Sequence, residues 1–235
     1  MVQSEKMASL GRLSAGIIHE INNPLNYASQ ALYLLKTKKD RMPEGDREKY
    51  MEILSDIEEG VGRVQKIVSD LRTFSHPHTG VVVDLINVQE GVSAALRFLS
   101  HEVKDKVKVL VEIPKEELVL ADRNKLIHVF VNLIQNSVDA MKEKKYQGED
   151  PSLWIQSRRE NGKVLISVRD NGTGIASENL SKVFDPFFTT KDVGEGMGLG
   201  LSLCYRMMAE QGGGISVKSE IGKFTEFILE WPTKN

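Results

Sequence analysis

Near the start of the chain apolar residues recur at helical spacing, with Met7, Leu10, Ile17, Ile21, Leu25 and Leu35 forming one stripe of a helix predicted from about Val2 to Arg41. If Met7, Ile21, Ala28 and Leu35 are heptad a positions and Leu10, Ile17 and Ala31 are d positions, His19 falls at f, away from the seam. Met42-Pro43-Glu44-Gly45-Asp46 supplies the turn chemistry that stops this helix. A second helix, Asp46 to Phe74, carries Ile57, Val61, Val64, Val68 and Leu71 at alternating intervals of four and three, a strict a/d register. Gly60 and Gly62 each cost it up to about 1 kcal/mol relative to alanine, which marks close helix approach or local softness. Two long helices joined by a short loop form an antiparallel hairpin, and one hairpin cannot bury both stripes. Pairing two hairpins into a four-helix bundle does so, and a homodimer is expected.

Beyond the second helix the pattern changes. Ser75-His76-Pro77-His78-Thr79-Gly80 reads as linker, and His76 and His78 have no third ligand near them in sequence. Strands are predicted at Val81 to Val83 and Val107 to Ile113, with a helix from Asn87 to Ser100 capped by Asn87. A longer helix spans Arg123 to Lys145, and Leu153 to Arg159 pairs with Lys163 to Arg169 about an Asn161-Gly162 turn. A helix from about Gly198 to Gln211 and strands Gly214 to Ser219 and Phe224 to Trp231 complete an α/β sandwich, a mixed sheet covered by helices. The expected organisation is a helical domain over 1–76, a linker over 77–82 and an α/β domain over 83–235.

Composition narrows the partners. Across 235 residues, 31 Lys and Arg nearly balance 33 Asp and Glu, a formal charge of −2 that favours neither nucleic acid nor an anionic membrane. The single cysteine, Cys204, sits in an apolar helical run and reads as a core residue; a disulfide framework within the chain is excluded. No apolar run approaches about 18 residues and no signal peptide is visible. A cytoplasmic chain that touches no membrane itself is expected, with a sensor domain or partner upstream left open.

Five stretches carry candidate chemistry. In Leu13 to Leu25, reading LSAGIIHEINNPL, the solvent-facing His19 is followed by Glu20. Asn23 shares its face one turn on, and Pro24 removes a helix hydrogen bond just beyond. In the predicted helix over 123–145, Asn132, Asn136 and Asp139 form one polar face of an otherwise apolar helix. Such groups need partners, either an internal polar network or a hydrated Mg²⁺ with phosphate oxygens. Asp170-Asn-Gly172-Thr-Gly174 follows a strand and is either a turn or a place where backbone approaches a flat ligand while a carboxylate accepts from an exocyclic amine. Phe184-Asp-Pro-Phe187-Phe188-Thr-Thr-Lys191 is an aromatic cluster ending in a cation, suited to a lid hinge. Gly194-Glu-Gly196-Met-Gly198-Leu199-Gly200-Leu201 runs alternate glycines into a helix, where free N–H groups and the positive dipole end suit a phosphate. It is not a Walker loop, since no Gly-Lys-Ser/Thr follows.

These five motifs, in this order and over nearly the whole chain, resemble the catalytic core of two-component sensor histidine kinases, matching that family's H, N, G1, F and G2 boxes. HEINNPL, the Arg72-Thr-Phe74-Ser75 ending of the second helix and Asn-Ser-Val-Asp-Ala look most like the nitrogen-regulation kinases that pair with regulators of sigma-54 promoters. The resemblance implies a dimerisation and phosphotransfer hairpin followed by a Bergerat-type ATP-binding domain. It also implies ATP and Mg²⁺ as ligands and the receiver domain of a response regulator as partner. His19 would be the phosphoacceptor, Glu20 the group that orients or deprotonates it, and Asn23 the residue that positions water for dephosphorylating the partner. Asn136 would ligate Mg²⁺, Asn132 would contact phosphate or metal, and Asp170 would read adenine. Asp139, Gly172, Gly174, Lys191, Gly196, Gly198, Leu199, Gly200 and Thr225 would line the nucleotide. The chain departs from the pattern twice: Asp139 stands where many relatives place a basic or aromatic phosphate contact, and Phe224 precedes Thr225 where glycine is usual.

Implied by that resemblance is in-line attack of a neutral imidazole nitrogen on the γ-phosphate, helped by positioning and charge neutralisation. Two other classes make different predictions. A Bergerat ATPase that only drives conformational change would turn over ATP without His19, though its expected Glu base is here Asn132. A catalytically dead dimeric scaffold would bind no nucleotide.

Overall fold

The computed structural model describes residues 21–38, 43–75, 83–191 and 198–232, without the side chains of several residues in the second half of the second helix. The chain divides into two compact units, Met1–Thr79 and Gly80–Asn235. Among the described residues no helix is long and apolar enough to cross a membrane.

The first unit is a helical hairpin. Helix α1 (residues 21–36) runs through Pro24, and α2 spans Glu44–Ser75. The helices are antiparallel: Lys36 Nζ lies 2.5 Å from the Glu58 carboxylate, the Tyr50 hydroxyl donates to the Leu35 carbonyl at 3.0 Å, and Gln65 Nε2 donates to Ser29 Oγ at 2.9 Å. Between them Leu32, Leu54 and Val68 are buried. This corrects the expected single seam. Leu32, at heptad e, is buried, whereas Ala31 and Leu35, placed at d and a, are exposed. The expected α2 register splits likewise, with Val68 buried and Val61 half-buried against α1 while Ile57 and Val64 face outward. Both helices carry an apolar face wider than one neighbour can cover.

The second unit is an α/β sandwich. In order it comprises β1 (Asp84–Asn87), α3 (Val88–Phe98), the short α4 (Ser100–Val103), β2 (Lys108–Glu112), β3 (Leu118–Ala121) and α5 (Arg123–Glu143). Then follow β4 (Ser152–Glu160), β5 (Lys163–Asp170), α6 (Gly200–Glu210), β6 (Gly214–Glu220) and β7 (Phe224–Pro232). The main sheet has the order β2-β4-β5-β7-β6, with β2 parallel to β4 and the other pairs antiparallel. Strands β1 and β3 form a separate antiparallel pair. The predicted first strand is corrected: it begins at Asp84, beyond Val83, and Val81 and Val82 lie outside the described residues. β3 went unpredicted, being four residues with no alternating pattern.

Local chemistry explains the other boundaries. Asn87 caps α3 by accepting from the Glu90 N–H, and Asp122 caps α5 by accepting from those of Asn124 and Lys125. Asn161 and Gly162 have φ of 51° and 70°, the left-handed pair a two-residue hairpin turn requires. The core joins Val92 and Ala95 of α3, Leu126 to Ile134 of α5 and Leu203 to Met208 of α6 with the inward faces of β4, β5 and β7. Cys204 is a wholly buried free thiol, its pKa pushed up to about 12 by burial.

Candidate functional site

Asp170 is the fixed point of the site. It ends β5, opposite Thr225 of β7, and both side chains are buried on the face that packs against the helices. Its Oδ1 accepts from the Gly172 N–H at 2.9 Å. Burial pushes its pKa up to about 6, opposed by the Gly172 N–H, the Ser137 hydroxyl, the Thr225 backbone and the charge of Lys144. An acid buried this deeply, with spare acceptor capacity, is built to receive a donor.

The glycines around it are set by close approach. A Cβ on Gly172 would stand 2.9 Å from the Ala140 backbone of α5 and 2.8 Å from Asp170 Oδ1. One on Gly174, at φ +70°, would stand 2.3 Å from the Glu220 carbonyl. Ser219, which the sequence did not single out, ties this loop down: its hydroxyl accepts from the Ile175 N–H at 2.8 Å, donates to the Phe224 carbonyl at 2.6 Å and lies 3.2 Å from Thr225 Oγ1.

Along α5, Asn132, Asn136 and Asp139 are all half-buried. The Asn132 Nδ2 is buried with no oxygen acceptor and only the Cys204 thiol as a weak partner, and its Oδ1 lies 3.6 Å from where a Cβ on Gly200 would sit. Gly200 opens α6, whose N-terminus has no side-chain cap; Leu199 before it is buried. An amide donor met by nothing stronger than a thiol, beside an uncapped helix start, is a region of poorly met donors, which an anion satisfies. Asp139 and Lys191, both expected to line the nucleotide, are joined to each other, with Nζ 2.5 Å from Oδ2, while Asp139 Oδ1 accepts from Gln135 Nε2.

The aromatic segment divides in two. The Phe184 ring packs on Tyr205 and, edge-on, on Phe227, at centroid distances of 5.8 and 6.4 Å. Phe187, at φ +66°, is exposed, and its N–H donates to the Gly198 carbonyl at 2.9 Å. Gly198 has φ +65°, and a Cβ there would lie 2.4 Å from the Phe188 carbonyl. Its glycine is therefore required by contact with the aromatic loop, not by an open cradle. Phe224 is accommodated too: its ring stacks 3.9 Å from the Arg169 guanidinium, on the opposite face from Asp170 and Thr225.

His19, Glu20 and Gly196 lie outside the described residues, as does the pair His76 and His78. Asn23 is exposed on α1. Sequence reading missed Ser137, Lys144, Tyr146, Asn171 and Ser219, which are spread over three segments and converge only in space.

Known proteins agree with this arrangement. Residues 121–235 match the family described as histidine kinase-, DNA gyrase B-, and HSP90-like ATPase, and residues 9–80 match the His Kinase A (phospho-acceptor) domain. The chain belongs to the two-component sensor histidine kinases. Relatives include the sensor kinase CckA of Brucella abortus, 33% identical over 99% of this chain and 25% of its own length. Another is the sensor histidine kinase ZraS of Escherichia coli, 30% identical over 99% of this chain and 47% of its own length. The histidine kinase ThkA, solved in complex with the response regulator protein TrrA, superposes with a TM-score of 0.66 and 26% identity over 99% of this chain and 64% of the other. The kinase core thus spans a quarter to a half of the length of these two curated relatives. Neither carries the name of a nitrogen-regulation kinase.

Proposed function

We propose that this chain is an ATP-dependent protein histidine kinase that phosphorylates its own His19 and passes the phosphoryl group to an aspartate in the receiver domain of a response regulator. The observation that carries the reading is the buried, acceptor-rich Asp170 in the same α/β unit as the uncapped start of α6 and the Asn132 amide, which has no oxygen acceptor. An ionised carboxylate takes the exocyclic amine of adenine, and the unmet donors take phosphate oxygens. Asn136, on the same polar face, would hold Mg²⁺, which when bound neutralises phosphate charge. The residues fit that ion as oxygen donors able to keep part of its water shell.

In the transfer an imidazole nitrogen of His19 forms the N–P bond as the γ-phosphoryl bond to ADP breaks, and Glu20 orients the ring or takes its proton. The N–P product is high in energy and passes its phosphoryl group on to a carboxylate. Asn23, one turn from His19, holds water for the reverse task of dephosphorylating the regulator. Two chains pair through the apolar faces their hairpins leave open, as a homodimer. That ThkA was solved with a response regulator supports the choice of partner.

The test is incubation of the chain with γ-labelled ATP. The expected product is acid-labile, base-stable label on the protein, absent in His19→Gln. Undiminished ATP turnover in that variant would point instead to an ATPase that only drives conformational change.

A further inference from the structure

Outside every motif, the segment that leaves α5 is fastened to the residue after Asp170. Lys144 Nζ donates to the Asn171 carbonyl at 2.7 Å, and the Tyr146 hydroxyl lies 3.2 Å from both the same carbonyl and Asn171 Oδ1. Asn171, itself buried, uses Oδ1 to accept from the Ser152 N–H at 2.8 Å and Nδ2 to donate to the Asp150 carbonyl at 2.9 Å. Lys144 is further held by Glu149 at 3.2 Å and by the Tyr146 ring, 5.1 Å from its centroid.

This is more fastening than a loop needs. Two donors converge on one carbonyl, and one of them is a cation whose side chain is 15% exposed. Its charge is paired on the outer side by Glu149, and the carbonyl it holds belongs to the residue that directly follows Asp170. The titratable groups that face Asp170 are Lys144 and Tyr146; Ser137 of α5 and Thr225 of β7 are uncharged, and Arg169 lies on the other face of the sheet under Phe224.

Building on the nucleotide-binding reading above, we propose that Lys144, held by Asn171, Glu149 and Tyr146, is a positioning residue. It keeps the Asp170 carboxylate an ionised acceptor and so sets the site for a purine that offers an amine. Its charge acts on Asp170 in the direction required, against the burial that favours the protonated form. Protonated Asp170 loses half its acceptor strength toward an amine, so nucleotide affinity should fall as pH drops through about 6, the value to which burial raises it.

The experiment measures ADP affinity of the full chain by calorimetry from pH 5.5 to 8.5 in wild type, Lys144→Met and Lys144→Arg. In wild type affinity should fall on the acid side. In Lys144→Met the midpoint of that fall should move up by about half a pH unit. Affinity would then be about two- to threefold weaker at pH 5.5 and indistinguishable from wild type at pH 8.5, where Asp170 is ionised regardless. Lys144→Arg, which keeps the charge, should follow wild type. A Lys144→Met midpoint that coincides with wild type overturns the proposal. So does a loss of affinity equal at every pH, which is the signature of a merely structural role. Wild-type protein that binds no ADP at any pH would overturn the nucleotide-binding reading and this inference with it, so the two failures are distinguishable.

Discussion

The two units of the chain solve burial in opposite ways. In Gly80–Asn235 one core runs through α3, α5, α6 and the inner faces of β4, β5 and β7, and the helix faces that meet the sheet are covered. In the hairpin, Leu32, Leu54 and Val68 are buried, while Tyr27, Tyr33, Leu34, Leu35, Ile53, Ile57 and Val64 are exposed. The chemistry differs in step. The α/β unit buries an acid whose pKa the fold has raised, whereas the hairpin offers side chains on its surface. A binding site needs low dielectric and fixed donors; a phosphoacceptor must be reached by different partners in turn. The first requires a core of its own, and the second tolerates a scaffold that leaves apolar faces open.

The sharpest way to break this contrast is to charge the open face of the hairpin. Ile57→Asp should raise the dimer dissociation constant by about a hundredfold or more, since a two-fold interface loses two isoleucines at about 1.5–3 kcal/mol apiece. ADP affinity should stay within about twofold of wild type, because the other unit has its own core. Sedimentation and calorimetry on the same sample check both; a dimer that survives would mean that the exposed apolar residues are not its interface.

Next in size is Asp170→Asn, which probes the cost of a functional acid in the core. Adenine affinity should fall by about a hundredfold or more, as a charged acceptor facing an amine becomes an amide. Stability should move the other way. The folded-state pKa of about 6 lies above the unfolded value of 3.8, so the unfolded chain ionises first as pH rises and wild type loses on the order of 3 kcal/mol by pH 8. The variant should therefore unfold later than wild type at pH 8, with the advantage shrinking below pH 6 and gone near pH 4. Urea melts at the two pH values measure this, and equal stability at pH 8 would mean that Asp170 is solvated more than its burial indicates.

How far the contrast was legible in the sequence follows from the range of the forces involved. Helical periodicity, the cap at Asn87 and the Asn161-Gly162 turn act within a few residues, and each was readable in place; the Asp122 cap is as local but was not singled out. The turn after Asp170 was readable too, because its glycines lie within a few residues of it. Which of Val61, Val64 and Val68 faces α1 was not, since a heptad repeat states that a face is apolar but not how many neighbours share it. The fastening of Asn171 by Lys144 and Tyr146 spans more than twenty residues and leaves no periodic trace. The pairing of Asp139 with Lys191 was hidden for the same reason.

A smaller effect is expected at Gly198, which joins two loops rather than lining a core. Gly198→Ala places a Cβ 2.4 Å from the Phe188 carbonyl and at φ +65°. The left-handed backbone alone costs about 1–2 kcal/mol. The aromatic loop must shift to admit it, and phosphorylation should slow by about tenfold. Thermal unfolding and initial labelling rates test this together. Unaltered values would mean that the loop yields freely, and the fit of Phe187 and Phe188 against Gly198 would have no bearing on activity.

The smallest structural effect should come at Asn23, and there the contrast between the units is most cleanly tested. The residue is exposed on α1, one turn beyond His19 in sequence, so Asn23→Ala removes no buried contact and exchanges a modest helix former for the best one. Dimer affinity and melting temperature should be unchanged or slightly improved. On the function proposed above, a carboxamide at that place would hold a water in line with an aspartyl phosphate docked at the histidine, with no part in moving phosphate from ATP to the imidazole. Self-phosphorylation should therefore stay within a few-fold of wild type while dephosphorylation of the regulator slows by about tenfold or more, the range general base and positioning groups contribute. Labelled regulator incubated with either protein separates the rates. Equal loss of both activities would mean that Asn23 supports the geometry of His19 itself, and an unchanged dephosphorylation rate would leave it a surface residue beside Pro24.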